Sequence, residues 1–146
     1  MSDLQGRHAR LGAAALALFA LGAATALALE PPRFMPLLST GKTVMDEPIV
    51  YPTNTPAKLT TAIIAMPPGA ETGWHTHGMP LTGLILEGEL TVDYGDKGKR
   101  TYKEGQSLAE AINIPHNGKN TGSGILRLFV VYMGAEGLPT TIPVKR

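Results

Sequence analysis

The chain has 146 residues, a formal net charge of +1, 17% charged residues and no cysteine. That length suits one domain with a modest core. So even a charge balance offers no electrostatic footprint for nucleic acid or an acidic partner, and the missing thiols exclude disulfides, thiolate metal sites and cysteine nucleophiles.

The N-terminal segment comes first. Arg7, His8 and Arg10 precede an apolar run over 11–29, and Ala26-Leu27-Ala28 sets small residues at the spacing a signal peptidase reads. This layout predicts a secretory signal peptide over 1–28 and export to the periplasm or the cell exterior. The run approaches the roughly 20 residues of a spanning helix, so an uncleaved membrane anchor is the alternative. After cleavage no segment would hold the chain to a membrane.

Residues 29–57 are rich in proline and predict an extended arm with room for two short strands, near Val44 and at Ile49-Val50. A barrel core is expected over 58–134. Lys58–Met66, KLTTAIIAM, carries the β-branched residues of a strand and stops at Pro67-Pro68-Gly69. A second extended stretch covers Thr72–His77. A third runs from Leu81 to Tyr94 with a bend at Gly88. The turn GDKGK at 95–99 returns the chain along Arg100–Lys103, and Glu104-Gly105 turns it again. Ser107–Ile114 reads as extended up to Pro115. Ile125–Met133, ILRLFVVYM, is the most apolar segment and predicts a central strand. Residues 135–146 read as a loose, exposed tail. Many short strands at regular spacing point to an all-β barrel or sandwich, and about eight strands enclose one small ligand.

The chemistry sits in GWHTHGMP, residues 73–80. On a strand, residues i and i+2 share a face about 6.5–7 Å apart. His75 and His77 would therefore project side by side and could converge on one cation. On a helix they would diverge by roughly 200°. Gly69 precedes His75 by six positions, giving G-x5-H-x-H, with Gly88 closing the stretch. A second glycine-led segment follows: Gly105, then AINIPHNGKN with His116 and Asn120.

Together these segments resemble the two motifs of the cupin superfamily over residues 58–133. The first family motif is G-x5-H-x-H-x3-4-E-x6-G, and the second is G-x5-P-x-G-x2-H-x3-N. Gly69, His75, His77 and Gly88 match the first; Gly105, His116 and Asn120 match the second. Ala111 and Asn113 replace the proline and the inner glycine. Leu81 stands where the family glutamate would fall. The resemblance implies a cupin-like β-barrel (a double-stranded β-helix, or jelly roll) and a three-histidine metal set, His75, His77 and His116. Glu110, on the segment leading to His116, is the candidate to stand in for the missing carboxylate or to act in catalysis. Glu87 and Glu89 are expected to face solvent, and Asn120 to be structural.

Neutral imidazoles leave a bound cation its full 2+ charge, which favours a small anionic ligand. The implied cofactor is one divalent transition metal, iron first, with Mn, Zn, Ni and Cu as alternatives. The expected partners are a small-molecule substrate or ligand and a second copy in a homodimer. Dioxygen-dependent cleavage of a small anionic organic molecule is the sharpest reading. A non-catalytic ligand-binding barrel and a metal-dependent isomerase or lyase are the alternatives.

Overall fold

The computed structural model describes residues 32–145; the signal-peptide and anchor readings of residues 1–28 lie outside them. Nine strands follow in order: β1 Ala57–Met66, β2 His75–Thr76, β3 Leu81–Glu87, β4 Glu89–Asp93, β5 Lys99–Lys103, β6 Ser107–Ala109, β7 Asn117–Asn120, β8 Leu126–Ala135 and β9 Ile142–Pro143. A three-residue 3-10 turn, Gly95–Lys97, joins β4 to β5.

The first layer is an antiparallel sheet in the order β1-β8-β3-β6. The long apolar β8 sits between β1 and β3, as its near-continuous hydrophobic run suits a strand paired on both edges; its register with β1 runs from Ala57↔Ala135 to Met66↔Leu126. The facing layer contains β5-β4-β7. It continues past β7 through the chain leading into β2, where Thr72 N–H donates to Gly118 O at 2.9 Å and His75 and His116 exchange both backbone bonds. Strand β9 then pairs with β2.

Period-two alternation decides what each layer turns inward. From the first layer come Met66, Leu81, Ile85, Leu126, Val130 and Tyr132, and from the second Leu90, Val92 and Tyr94, all buried. They form two apolar clusters, one around Ile85, Val92 and Leu126 and the other around Leu81, Val130 and Tyr132. The result is all-β with a cupin-like arrangement of sheets.

The observed elements differ from the expected ones in several places. Among the described residues the arm holds no strand near Val44 or at Ile49-Val50, only the isolated bridge Lys42↔Pro48. Ser107–Ile114 is strand only to Ala109, because the amides of Ile112 and Asn113 turn away from the sheet to a carboxylate of the arm, Glu47. Residues 117–120, NGKN, lack strand-forming side chains yet pair with β4 across four positions, since tertiary hydrogen bonding overrides weak propensity there. The tail is anchored through β9, with Val144 N–H donating to Trp74 O at 2.9 Å. The arm lies along its own barrel: Val44 N–H donates to Ala109 O at 2.7 Å, covering the edge of β6.

Gly88 makes the bend between β3 and β4 with φ +85°, and a Cβ there would sit 2.9 Å from Ile125 O. Both facts require glycine. Gly88→Ala should therefore destabilise the fold by about 1–3 kcal/mol. Urea unfolding should register this as a lower midpoint at unchanged slope.

Candidate metal centre

His75 opens β2 and His77 follows one residue past its end, so strand alternation turns both rings into the barrel. His116 comes from the opposite side of the same local pairing, just before β7, with its backbone bonded to that of His75. All three are buried, at 8%, 6% and 2% exposure respectively.

Each ring is oriented by a backbone carbonyl. His75 Nδ1 lies 2.7 Å from Gly73 O, His77 Nδ1 lies 2.6 Å from Thr140 O, and His116 Nδ1 lies 2.8 Å from Ile114 O. A carbonyl only accepts, so each Nδ1 carries the hydrogen and donates. Each Nε2 is then left as a lone pair. The ring centroids are 4.5–5.0 Å apart, and His116 Nε2 stands 3.2 Å from His77 Nε2. One ligand atom from each residue lies within 4.8 Å of the other two.

Two lone pairs facing each other at that distance repel unless a proton or a cation lies between them. Burial opposes the proton: it pushes the His77 imidazolium down to about 3 and lowers those of His75 and His116 as well. Nitrogen ligands held 2.0–2.1 Å from a zinc-sized ion sit roughly 3–3.5 Å from one another. The donor set, its tautomers and its spacing therefore fit a divalent cation.

The triad opens on a cavity of about 60 Å³. Its walls include Ile64, Leu81, Leu90, Val92, Leu128 and Val130, with Tyr132 beside His77, and among the described residues no Lys or Arg lines it. Leu81, at the position of the family glutamate, is thus part of an apolar wall. Glu110 also lines the cavity, but it is not a member of the three-histidine cluster. Its Oε1 accepts from Tyr94 O–H at 2.6 Å and from Ala111 N–H at 2.8 Å, which leaves Oε2 for a ligand. Burial holds its carboxyl above the usual range, with those two hydrogen bonds pulling the other way. The Tyr94 phenol is pushed far above its ordinary value by burial and by the neighbouring Glu110 charge.

The remaining candidates fall outside the cavity. Glu87 and Glu89 pair at the surface with Arg127 and Lys103. Asn120 is fully buried and structural, with Nδ2 donating to Met66 O and Gly124 O, both at 2.8 Å.

Two residues were missed by sequence reasoning. Tyr94 shares the inward parity of Leu90 and Val92, so alternation could have found it. Glu47, whose carboxylate holds the amides of Ile112 and Asn113, lies 65 and 66 positions away from them and leaves no local signal.

The two-sheet barrel and its three inward imidazoles define a cupin-like fold with a candidate metal site. Residues 62–132 match the family model described as the Cupin domain. Among solved structures, the chain is similar to the polyketide cyclase RemF from Streptomyces resistomycificus (TM-score 0.52, 19% identity, 69% of this chain and 70% of that one). It is also similar to an oxalate decarboxylase from Lactobacillus farciminis (0.51, 18%, 59% and 26%) and to the structures of the DMSP lyases RdDddP and RnDddQII (0.50, 16%, 60% and 44%). At these identities the likeness is one of fold. No curated protein matches the sequence.

The buried triad gives stability a pH dependence. The unfolded chain binds a proton on residue 77 below its ordinary 6.5, whereas the folded chain resists it until about 3. The unfolded state thus binds more protons across that window, so stability rises with pH through it and is lost on acidification. In chelator-treated protein, His77 alone should cost about 2 kcal/mol between pH 6.5 and 5. Urea unfolding at a series of pH values checks this, and His77→Gln should flatten the slope.

Proposed function

We propose that this chain is a metal-dependent enzyme that acts on a compact organic anion by proton-transfer chemistry of the lyase or isomerase type. The observation that carries the reading is the shared cavity, lined by both the three-imidazole cluster and the buried Glu110 carboxyl. His75, His77 and His116 would hold a divalent cation, iron, manganese, zinc, nickel or copper alike, since imidazole suits each. When bound, such an ion supplies Lewis-acid polarisation of a substrate oxygen and, for a redox metal, electron transfer.

The chain's own residues do the rest. The aliphatic wall excludes water and accepts only a small, largely apolar remainder. Because no Lys or Arg among the described residues lines the cavity, an anionic head would be matched by the centre itself. Tyr94 and the Ala111 amide orient Glu110 through Oε1, so a proton held on the carboxyl can pass to or from a ligand at Oε2. Glu110 is what favours proton transfer over oxygen chemistry; the dioxygenase reading uses the same three histidines and leaves that carboxyl without a task. A binding-only barrel likewise gives the buried acid no role.

The same reading makes the chain an exported protein, resting on the sequence of residues 1–28, and a homodimer, supported by the outward-facing Leu59 and Ile63 of edge strand β1. N-terminal sequencing of the mature protein and light scattering test these two points.

For the site, elemental analysis of the purified chain should find close to one transition-metal ion per chain, lost in His75→Ala and in His116→Ala. Metal unaffected by both changes would defeat the assignment. Small keto acids and 1,3-dicarbonyl anions, followed by NMR and an oxygen electrode, separate the chemistries: turnover without oxygen uptake is expected. Glu110→Gln should keep the metal and lose roughly 10²–10⁴ in kcat. Oxygen consumed in step with substrate, at a rate indifferent to Glu110→Gln, would restore the dioxygenase reading.

A further inference from the structure

The loop between Glu110 and His116 carries two cavity residues and belongs to no strand. Something must hold it, and the sequence offers nothing local to do so. Its peptide groups are gripped from two sides. Ile112 N–H donates to Glu47 Oε2 at 2.8 Å, and Asn113 N–H donates to Glu47 Oε1 at 2.9 Å. Asn113 Nδ2 adds a third bond to Oε1 at 3.2 Å, and Thr43 O–H a fourth to Oε2 at 3.3 Å. The other face of Ile112 is held by the triad itself, since its carbonyl accepts from His77 N–H at 2.9 Å.

Glu47 is presented by a tight turn of the arm. Thr43 N–H donates to Glu47 O at 2.9 Å, and Thr43 Oγ1 accepts from the amides of Met45 and Glu47, both at 3.2 Å. The bridge Lys42↔Pro48 closes the base of that turn, and the Val44 bond to Ala109 docks it on β6. The carboxylate thus comes from a rigid mount, and both its oxygens are spent on one loop.

We propose that Glu47 is a positioning residue for the metal centre: it acts through Ile112 and Asn113 to fix the loop that sets His116 and Glu110 against His77. The inference rests on the metal-site reading above and adds to it a residue from the arm, outside both histidine motifs. A carboxylate is the group the geometry demands. Two converging amides need two acceptor oxygens, and an amide side chain would turn a donor toward one of them. Glutamine is therefore a disruptive replacement here despite its shape.

The test compares Glu47→Gln with Val44→Ala, a change in the same turn that removes packing against the core without touching the carboxylate. Two readouts are taken on each full chain: the affinity and d–d absorption spectrum of cobalt(II), and native-state hydrogen exchange at Ile112 and Asn113. Glu47→Gln should weaken cobalt binding about 10–100-fold, alter the spectrum and speed exchange at both amides. Val44→Ala should lower thermal stability while leaving cobalt affinity and spectrum unchanged. Glu47→Asp, with both oxygens but a shorter reach, should fall between wild type and Glu47→Gln.

Retained protection of both amides in Glu47→Gln overturns the proposal whatever the metal does. So does a loss of cobalt affinity that merely follows thermal stability across the two variants. Failure of the wild-type chain to bind cobalt, with protection at Ile112 and Asn113 still lost in Glu47→Gln, overturns the metal-site reading and the positioning role with it, while leaving the grip itself demonstrated.

Discussion

The structure turns on three hydrogen bonds from imidazole Nδ1 to backbone carbonyls, at Gly73, Thr140 and Ile114. Each fixes a tautomer and a ring plane at once, and each leaves its Nε2 facing the other two. Without them, three buried neutral histidines could turn their N–H groups inward and satisfy one another. With them, the inward face of the cluster is purely an acceptor in a place where burial resists protonation. A cation answers that arrangement; water can donate to it only in part.

The same burial shapes what surrounds the triad. The cavity is small and mostly aliphatic, so an ionised group inside it must be matched by another charge or by strong hydrogen bonds. Glu110 has the hydrogen bonds, from Tyr94 and Ala111, and its carboxyl is nonetheless held above its ordinary range. Leu81 stands in β3 where the related motif carries a glutamate, so three imidazoles alone would leave a bound cation its full charge; the acid that lines the cavity, Glu110, comes instead from the loop just past β6. The result is a small cavity lined by both a three-imidazole acceptor cluster and a carboxyl held above its ordinary range.

Segments far from the barrel motifs complete the centre. The tail supplies Thr140 O to His77 and, through β9, the partner strand for β2. The arm supplies Glu47 to the 111–116 loop. The tail braces β2 and the arm braces the loop before β7, elements too short to be stable alone: β2 contributes only two paired residues. Their rigidity is borrowed from neighbours at either end of the described chain.

Much of this was legible in the amino-acid order. Alternation located β1, β3, β4, β5 and β8, because side-chain parity on a strand follows directly from the backbone period, and glycine at residue 88 announced the bend. The one-residue spacing of His75 and His77 implied a shared face for the same reason. What order alone could not decide was every relation that depends on a through-space partner. The strand Asn117–Asn120 has no intrinsic strand signal and exists through its pairing with β4. The tail is held by the pairing of β9 with β2 and by the Val144 bond to Trp74. Glu110 could be named as a candidate, but its place in the histidine-lined cavity depends on how the chain turns after Ala109, where parity breaks. Glu47 could not be named at all, since the two amides its carboxylate accepts from lie 65 and 66 residues away and only the folded chain brings them together.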